Sequence, residues 1–125
     1  MKKIFLLLCL MPLLMANQCN DDDDGHQVNC TEEARAGLNV TVMDAATHTV
    51  LTEGVVVVAT EGTYSETLEL IPGSDVFSGA WERQGNYMLT VTKSGYQTYT
   101  SETITVDADV CHVIPQSIMV HLIPE

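Results

Sequence analysis

Cys19 has the clearest chemistry in this chain, because its thiol stands directly behind a short apolar N-terminal segment. Lys2 and Lys3 precede an apolar core at residues 4–16, which is shorter than the roughly 20 residues that a membrane-spanning helix needs. A basic start, an apolar core and a cleavable end are typical of a secretory signal. We therefore predict that residues 1–18 are a signal peptide and that cleavage leaves Cys19 at the new N-terminus.

A cysteine at this position is where bacterial lipoproteins are cut and acylated, so we predict lipidation of Cys19 and a membrane anchor. The flanking residues depart from the usual pattern, which has a small residue where Gln18 stands and leucine where Ala16 stands. The alternative is ordinary signal cleavage after Ala16, although Leu14 is large where that enzyme prefers a small side chain. The predicted location is the bacterial outer membrane, with the domain exposed at the cell surface.

A run of acidic residues follows the anchor cysteine, at Asp21, Asp22, Asp23 and Asp24. One interpretation is a solvated tail within an acidic linker at residues 19–36, as blocks of like charge usually are. A second is an export signal, since the arrangement looks like the acidic tag of surface lipoproteins in some Gram-negative bacteria. A calcium loop is the weakest interpretation, because the acid required at loop position twelve falls on Thr31.

Cys30 and Cys111 are the two cysteines that remain after processing, because Cys9 leaves with the signal and Cys19 takes lipid. An even pair in an oxidising compartment predicts a disulfide. A loop of this size would stabilise the fold by about 4 to 5 kcal/mol in the chain-entropy model. Two free buried thiols are the alternative, and a zinc site is disfavoured because no second close cysteine pair exists.

The net charge excludes one class of partner. The chain has 5 basic and 17 acidic side chains, a formal charge of −12, and removal of Lys2 and Lys3 lowers this to −14. Such a surface repels nucleic acid and offers no basic stripe for phosphates. We therefore predict no nucleic-acid partner.

The remaining residues, 37–125, have the patterning of one small all-β domain. Polar and apolar residues alternate with a period of two, turns contain Gly, Pro, Asn and Ser, and no segment has helical caps. Residues 55–59 form a continuous apolar run, which predicts a strand buried on both faces. We predict a β-sandwich of about seven strands, at residues 38–43, 55–59, 64–71, 76–81, 87–92 and 118–123, with residues 96–100 and 103–106 forming either one long strand or two broken ones.

Several segments resemble the carboxypeptidase regulatory-like domains of bacterial surface lipoproteins. They include Gly-x-Tyr and Lys-x-Gly-Tyr elements and lie at residues 37–44, 80–87, 91–96, 109–113 and 120–122. The resemblance implies a transthyretin-like, or prealbumin-like, seven-stranded Greek-key sandwich. It implies no activity, because the family is named after an accessory domain and a fold does not fix a function.

Trp81 and Tyr96 are the candidate ligand-contact residues, since an indole beside a charged turn could stack on a sugar. The interpretation we favour for them and for Tyr87 is structural, with rings in the core and tyrosine hydroxyls bonded to backbone. Gly85 and Gly95 are expected in tight turns that require positive φ.

Catalytic patterns are missing from the sequence. No histidine is followed by glutamate at the spacing of a metallocarboxypeptidase, and the C-terminal tetrapeptide of transthyretin-like hydrolases is replaced by residues 122–125. His112, beside Cys111, is interpreted as a packed or capping residue. We predict no catalytic residues, metal or cofactor.

The sequence thus predicts a lipid-anchored envelope protein that is not an enzyme and has a binding or assembly role toward a protein or glycan. One alternative is a purely structural accessory subunit of a surface complex. The other, less favoured, is a hydrolase with an unrecognised site.

Overall fold

The computed structural model describes residues 28–125, and this part of the chain is all-β, as predicted. Its nine strands form two sheets that pack as a β-sandwich. The strands are β1 (Ala36–Asp44), β2 (Val56–Glu61), β3 (Tyr64–Thr67), β4 (Glu69–Leu70), β5 (Phe77–Trp81), β6 (Gly85–Thr92), β7 (Tyr99–Thr100), β8 (Ile104–Val106) and β9 (Gln116–Leu122).

Sheet 1 has the strand order β4-β5-β1-β9 and is organised around β1. The predicted alternation along β1 is confirmed, since Leu38, Val40 and Val42 are fully buried while the residues between them are half-buried. Strand β5 is antiparallel to β1, whereas β9 is parallel to it, from Leu38 opposite Gln116 to Asp44 opposite Leu122.

Sheet 2 has the order β3-β2-β6-β7, and β8 pairs with the beginning of β6. Strand β6 is its centre, and the predicted period of two is confirmed because Tyr87, Leu89 and Val91 are fully buried. The inner faces of the two sheets share one apolar core, to which β1, β2, β5, β6, β8 and β9 all contribute.

The sandwich has two ends, which differ in the loops and turns they contain. We call "leader end" the end where residues 28–35 join β1, together with the β5–β6 turn and residues 107–115. The "far end" contains the turn after β1, the turn after β6 and residues 123–125. Strands β1 and β9 both run from the leader end to the far end.

Three details of the predicted strands are wrong. Nine strands are present in the described residues where about seven were expected, although the two short strands β7 and β8 match the broken alternative predicted for residues 96–106. The strand predicted at residues 64–71 is divided between β3 in sheet 2 and β4 in sheet 1, with buried Leu68 at the crossing. The run at residues 55–59 is buried on one face, since Val56 is 43% exposed while Val57 is fully buried.

The predicted signal peptide at residues 1–18, the lipidation site Cys19 and the acidic run Asp21–Asp24 lie outside the described residues. Within residues 28–125, the structure contains no helix long and apolar enough to cross a membrane.

Candidate functional site

The disulfide between Cys30 and Cys111 is present, which confirms the predicted pairing. The two Cα atoms lie 5.2 Å apart, inside the range that a disulfide needs. The bond fixes the N-terminal segment to the chain that approaches β9. Residues 28–35 are therefore attached to the domain before β1 begins.

The buried imidazole of His112 lies next to this disulfide at the leader end. Its ring is 8% exposed, with Nδ1 2.5 Å from Glu82 Oε2 and Nε2 2.9 Å from the hydroxyl of Thr31. An ionised carboxylate can only accept, so Nδ1 donates to Glu82, and the hydroxyl of Thr31 is the hydrogen-bond partner of Nε2. The interpretation of His112 as a packed residue is confirmed.

Glu82 is the centre of this arrangement because its carboxylate accepts from three N–H groups. Besides His112, the backbone N–H groups of Val113 and Arg35 donate at 3.0 and 3.1 Å. The pKa of Glu82 is lowered, first by the N–H of Val113 and then by His112, since both favour the ionised form. Glu82 has φ of 50°, an uncommon value for a residue with a side chain.

Together these contacts join three chain segments that are distant in sequence. We call "leader clamp" the set formed by the disulfide, Thr31, Glu82 and His112. The backbone N–H of Glu82 also donates to the carbonyl of Arg35 at 2.9 Å. Both the N–H and the C=O of Arg35, directly before β1, are therefore bonded to Glu82.

The order hydroxyl, imidazole, carboxylate is also the order of a nucleophile, a general base and its orienting acid. Acyl transfer additionally needs donors aimed at a developing oxyanion. The N–H groups of Cys111 and His112 are already bonded to Asp109, and those of Arg35 and Val113 to Glu82. The geometry therefore supports a structural role better than catalysis.

Beside the clamp is an open cleft of about 470 Å³. Its charged lining is acidic, and Asp109 keeps a lowered pKa because the backbone N–H groups of His112 and Cys111 bond to it. A cleft of this charge repels anions and is suited to a basic group. Its acidic residues are Glu32, Glu33, Glu82 and Asp109.

Trp81 and Tyr96 lie at opposite ends of the sandwich and cannot form one site. Trp81 pairs with Ala36 at the beginning of β1, whereas the hydroxyl of Tyr96 donates to Asp44 at its end, at 2.6 Å. The eight-residue separation along β1 corresponds to about 26 Å. The hydrogen bond lowers the pKa of Asp44 and raises that of Tyr96.

The core interpretation holds for the rings of the two tyrosines and fails for Trp81. The expected bond from hydroxyl to backbone is present for Tyr87, whereas the hydroxyl of Tyr96 bonds to the side chain of Asp44. Tyr87 is fully buried with its hydroxyl on the carbonyl of Arg83, and Tyr96 packs against the core. Trp81 is 48% exposed. Ala80, at φ 56°, interrupts the alternation of β5, so that Ala80 is buried and the indole remains accessible.

A second polar cluster was not expected from the sequence. The guanidinium of Arg83 lies 3.6 Å from the centre of the Tyr64 ring and donates to Glu61 and to the hydroxyl of Tyr87, both at 2.8 Å. Glu61 also accepts the backbone N–H of Asn86 at 2.6 Å, and this bond, more than Arg83, lowers its pKa. The short separation of Arg83 and Tyr87 in sequence could have suggested their contact. Glu61 and Tyr64 could not have been added to the cluster in this way, because they belong to the separate β2–β3 hairpin.

The two turn glycines differ from each other. Gly95 has φ of 85°, as expected, whereas Gly85 has no positive φ. A Cβ at Gly85 would lie 2.6 Å from the carboxylate of Glu61, so a larger residue there would push this carboxylate away from Asn86 and Arg83. Among residues 28–125, no group of three His, Cys, Asp or Glu side chains could hold a metal ion.

Comparison with models of known protein families and with curated proteins found no match to this chain.

Proposed function

We propose that this chain is a lipid-anchored protein of the bacterial outer membrane, exposed at the cell surface, whose β-sandwich has a non-catalytic binding or assembly role. We assign the sandwich to the carboxypeptidase regulatory-like type, as a variant of the prealbumin-like Greek key. The disulfide supports this location, because such bonds persist in oxidising compartments.

The leader clamp carries the proposal. An anchor at Cys19 would be joined to Cys30 through the ten residues 20–29, a connection that spans at most about 40 Å. Because Cys30 is bonded to the domain, the leader end would stay within about 40 Å of the bilayer. A pull on the anchor would be transmitted to the sandwich through the disulfide.

The accessible indole and the acidic cleft lie at this same end. Trp81 immediately precedes Glu82, which lines the cleft. Partly exposed tryptophans are enriched at the energetic centres of protein interfaces. Their placement near the anchor favours assembly with another envelope protein over capture of a ligand from the medium.

Photocrosslinking on intact cells tests this role. A photoreactive amino acid replacing Trp81 is expected to cross-link a second envelope protein, which mass spectrometry would identify. The matched control replaces Met88, which is similarly exposed (43%) but lies on sheet 2. Equal cross-linking from both positions, or none from position 81, would contradict the assembly role.

Lipidation is tested separately. A clickable fatty-acid analogue is expected to label the wild-type protein and not the Cys19→Ala variant. Equal labelling of the two would refute the anchor and leave the contact surface to be judged by the cross-linking.

The order of Thr31, His112 and Glu82 favours one second candidate, a hydrolase. In that case a chromogenic acetyl ester would be cleaved by the wild type and by Thr31→Ser, but not by Thr31→Ala. We expect all three to remain at the buffer rate, because the nearby N–H groups are already bonded and the cleft is acidic.

A further inference from the structure

Strand β9 is the last strand of sheet 1, and its outer side is open from Gln116 to Leu122. Beyond Leu122 the edge is covered, because Gln97 donates to the carbonyl of Ile123. The parallel register places Asn39, Thr41 and Met43 opposite Ser117, Met119 and His121. Along a strand, the backbone N–H and C=O groups of successive residues point alternately to one side and to the other. In each pair of opposite residues of a parallel ladder, therefore, only one residue directs its backbone groups at the other strand.

Backbone hydrogen bonds on either side of β1 show which of its residues direct their N–H and C=O groups at β9. Val42 accepts from Leu51 on the β5 side, and Ala45 donates to the carbonyl of Leu122 on the β9 side. Even-numbered residues of β9 therefore face β1. The N–H and C=O groups of Ser117, Met119 and His121 face outward, and no backbone bond joins them to another described residue.

This edge lacks the features that normally prevent strand pairing. Edge strands are usually short, charged, bulged or interrupted by proline. Strand β9 has seven residues and contains no proline, although Pro115 and Pro124 lie just outside it. It lies within residues 114–124, which include no Asp, Glu, Lys or Arg. In a chain with 17 acidic side chains, such an uncharged stretch is the surface where two copies repel each other least.

We propose that β9 pairs antiparallel with β9 of a second copy, about a two-fold axis at Met119. In this register Met119 faces Met119 of the second copy as a hydrogen-bonded pair, and Ser117 faces His121. All three outward residues of each copy find partners, and the pattern is self-complementary, as a two-fold interface requires. The four strands of sheet 1 become eight across the dimer.

The side chains support the same register. Met119 is 53% exposed on the outer face of sheet 1, beside Thr41. Opposite residues in an antiparallel pair bring their side chains into contact, so the two-fold axis would cover both Met119 side chains. No charged side chain of either β9 strand would be buried.

Cysteine cross-linking tests the dimer directly. Cα atoms of a hydrogen-bonded antiparallel pair lie about 5.5 Å apart, within the range for a disulfide. Met119→Cys in the full-length processed protein is expected to form a disulfide dimer of doubled mass, both on cells and after purification. The matched control, Met88→Cys, is similarly exposed on sheet 2 and is expected to remain monomeric.

Two variants probe the edge without disturbing its pairing with β1. Met119→Pro removes an outward N–H and is expected to abolish self-association while circular dichroism stays unchanged. Met119→Lys places like charges opposite each other and should weaken self-association by up to about fivefold. Sedimentation velocity measures both effects.

Three results would overturn the proposal. They are a purely monomeric Met119→Cys protein, equal dimer from Met88→Cys, and a cross-linked product on cells whose mass belongs to a different protein.

Discussion

Replacing both cysteines of the leader clamp, as Cys30→Ser with Cys111→Ser, should strongly destabilise the domain. The bond closes a loop with a sequence separation of 81 residues. In the chain-entropy model a loop of this length contributes about 4.5 kcal/mol at 25 °C, by restricting the unfolded chain. A domain of this size has a total unfolding free energy of about 5 to 15 kcal/mol, so the loss would be a large fraction of its stability.

Urea unfolding followed by circular dichroism measures this loss. With a denaturant slope of about 1.5 kcal/mol per molar, the midpoint should fall by about 2 to 3 M urea. The slope itself should rise, because the unfolded chain without the cross-link exposes more surface. Changing both cysteines avoids a free thiol that could form dimers and confuse the comparison.

The matched control removes a hydrogen bond of the same clamp and leaves the loop closed. Thr31→Ala loses the 2.9 Å contact with His112 and should cost only about 0.5 to 1.5 kcal/mol. If the double serine variant is no less stable than this control, the disulfide does not carry the stability assigned to it. An unchanged slope would contradict the explanation through the unfolded state.

Three further predictions concern other parts of the chain. The hydrogen bond to Glu66, and then burial, raise the pKa of Tyr64 to about 12, so the folded state holds this proton more tightly than the unfolded state. This contribution is complete below about pH 10 and is lost as pH rises toward 12, and Tyr64→Phe should remove that part of the alkaline dependence of urea midpoints. Gly95→Ala should destabilise the domain by about 1 kcal/mol in thermal unfolding, because φ there is 85°, whereas Gly95→Asn should cost less. Replacing Asp21, Asp22, Asp23 and Asp24 by asparagine should preserve lipidation but protect the protein from protease added to intact cells, and equal digestion of both forms would reduce the run to a spacer.

The sequence was sufficient for features that depend on local periodicity or on elimination. The alternation of Leu38, Val40 and Val42 with polar residues identified β1, because one face of a strand must be buried. Cys30 and Cys111 could be paired because the processing expected for the other two cysteines left no other partner.

Features that depend on tertiary contacts could not be predicted from pattern. Glu82 and His112 are separated by 30 residues and meet only in the folded domain, where Glu82 has a positive φ. The exposure of Trp81 depends on the backbone at Ala80, which periodicity does not encode. The open edge of β9 follows from its position at the end of sheet 1, and an alternating pattern does not specify which strands a strand will have as neighbours.

Intact-mass spectrometry of the protein extracted from its native membrane is the decisive experiment for the anchored leader. We expect a chain that begins at Cys19, carries the mass of attached acyl chains, and releases a linked Cys30–Cys111 peptide pair under non-reducing digestion. A chain that begins at Asn17 without added lipid mass, or one that retains residues 1–18, would contradict the anchored leader on which the proposed function depends.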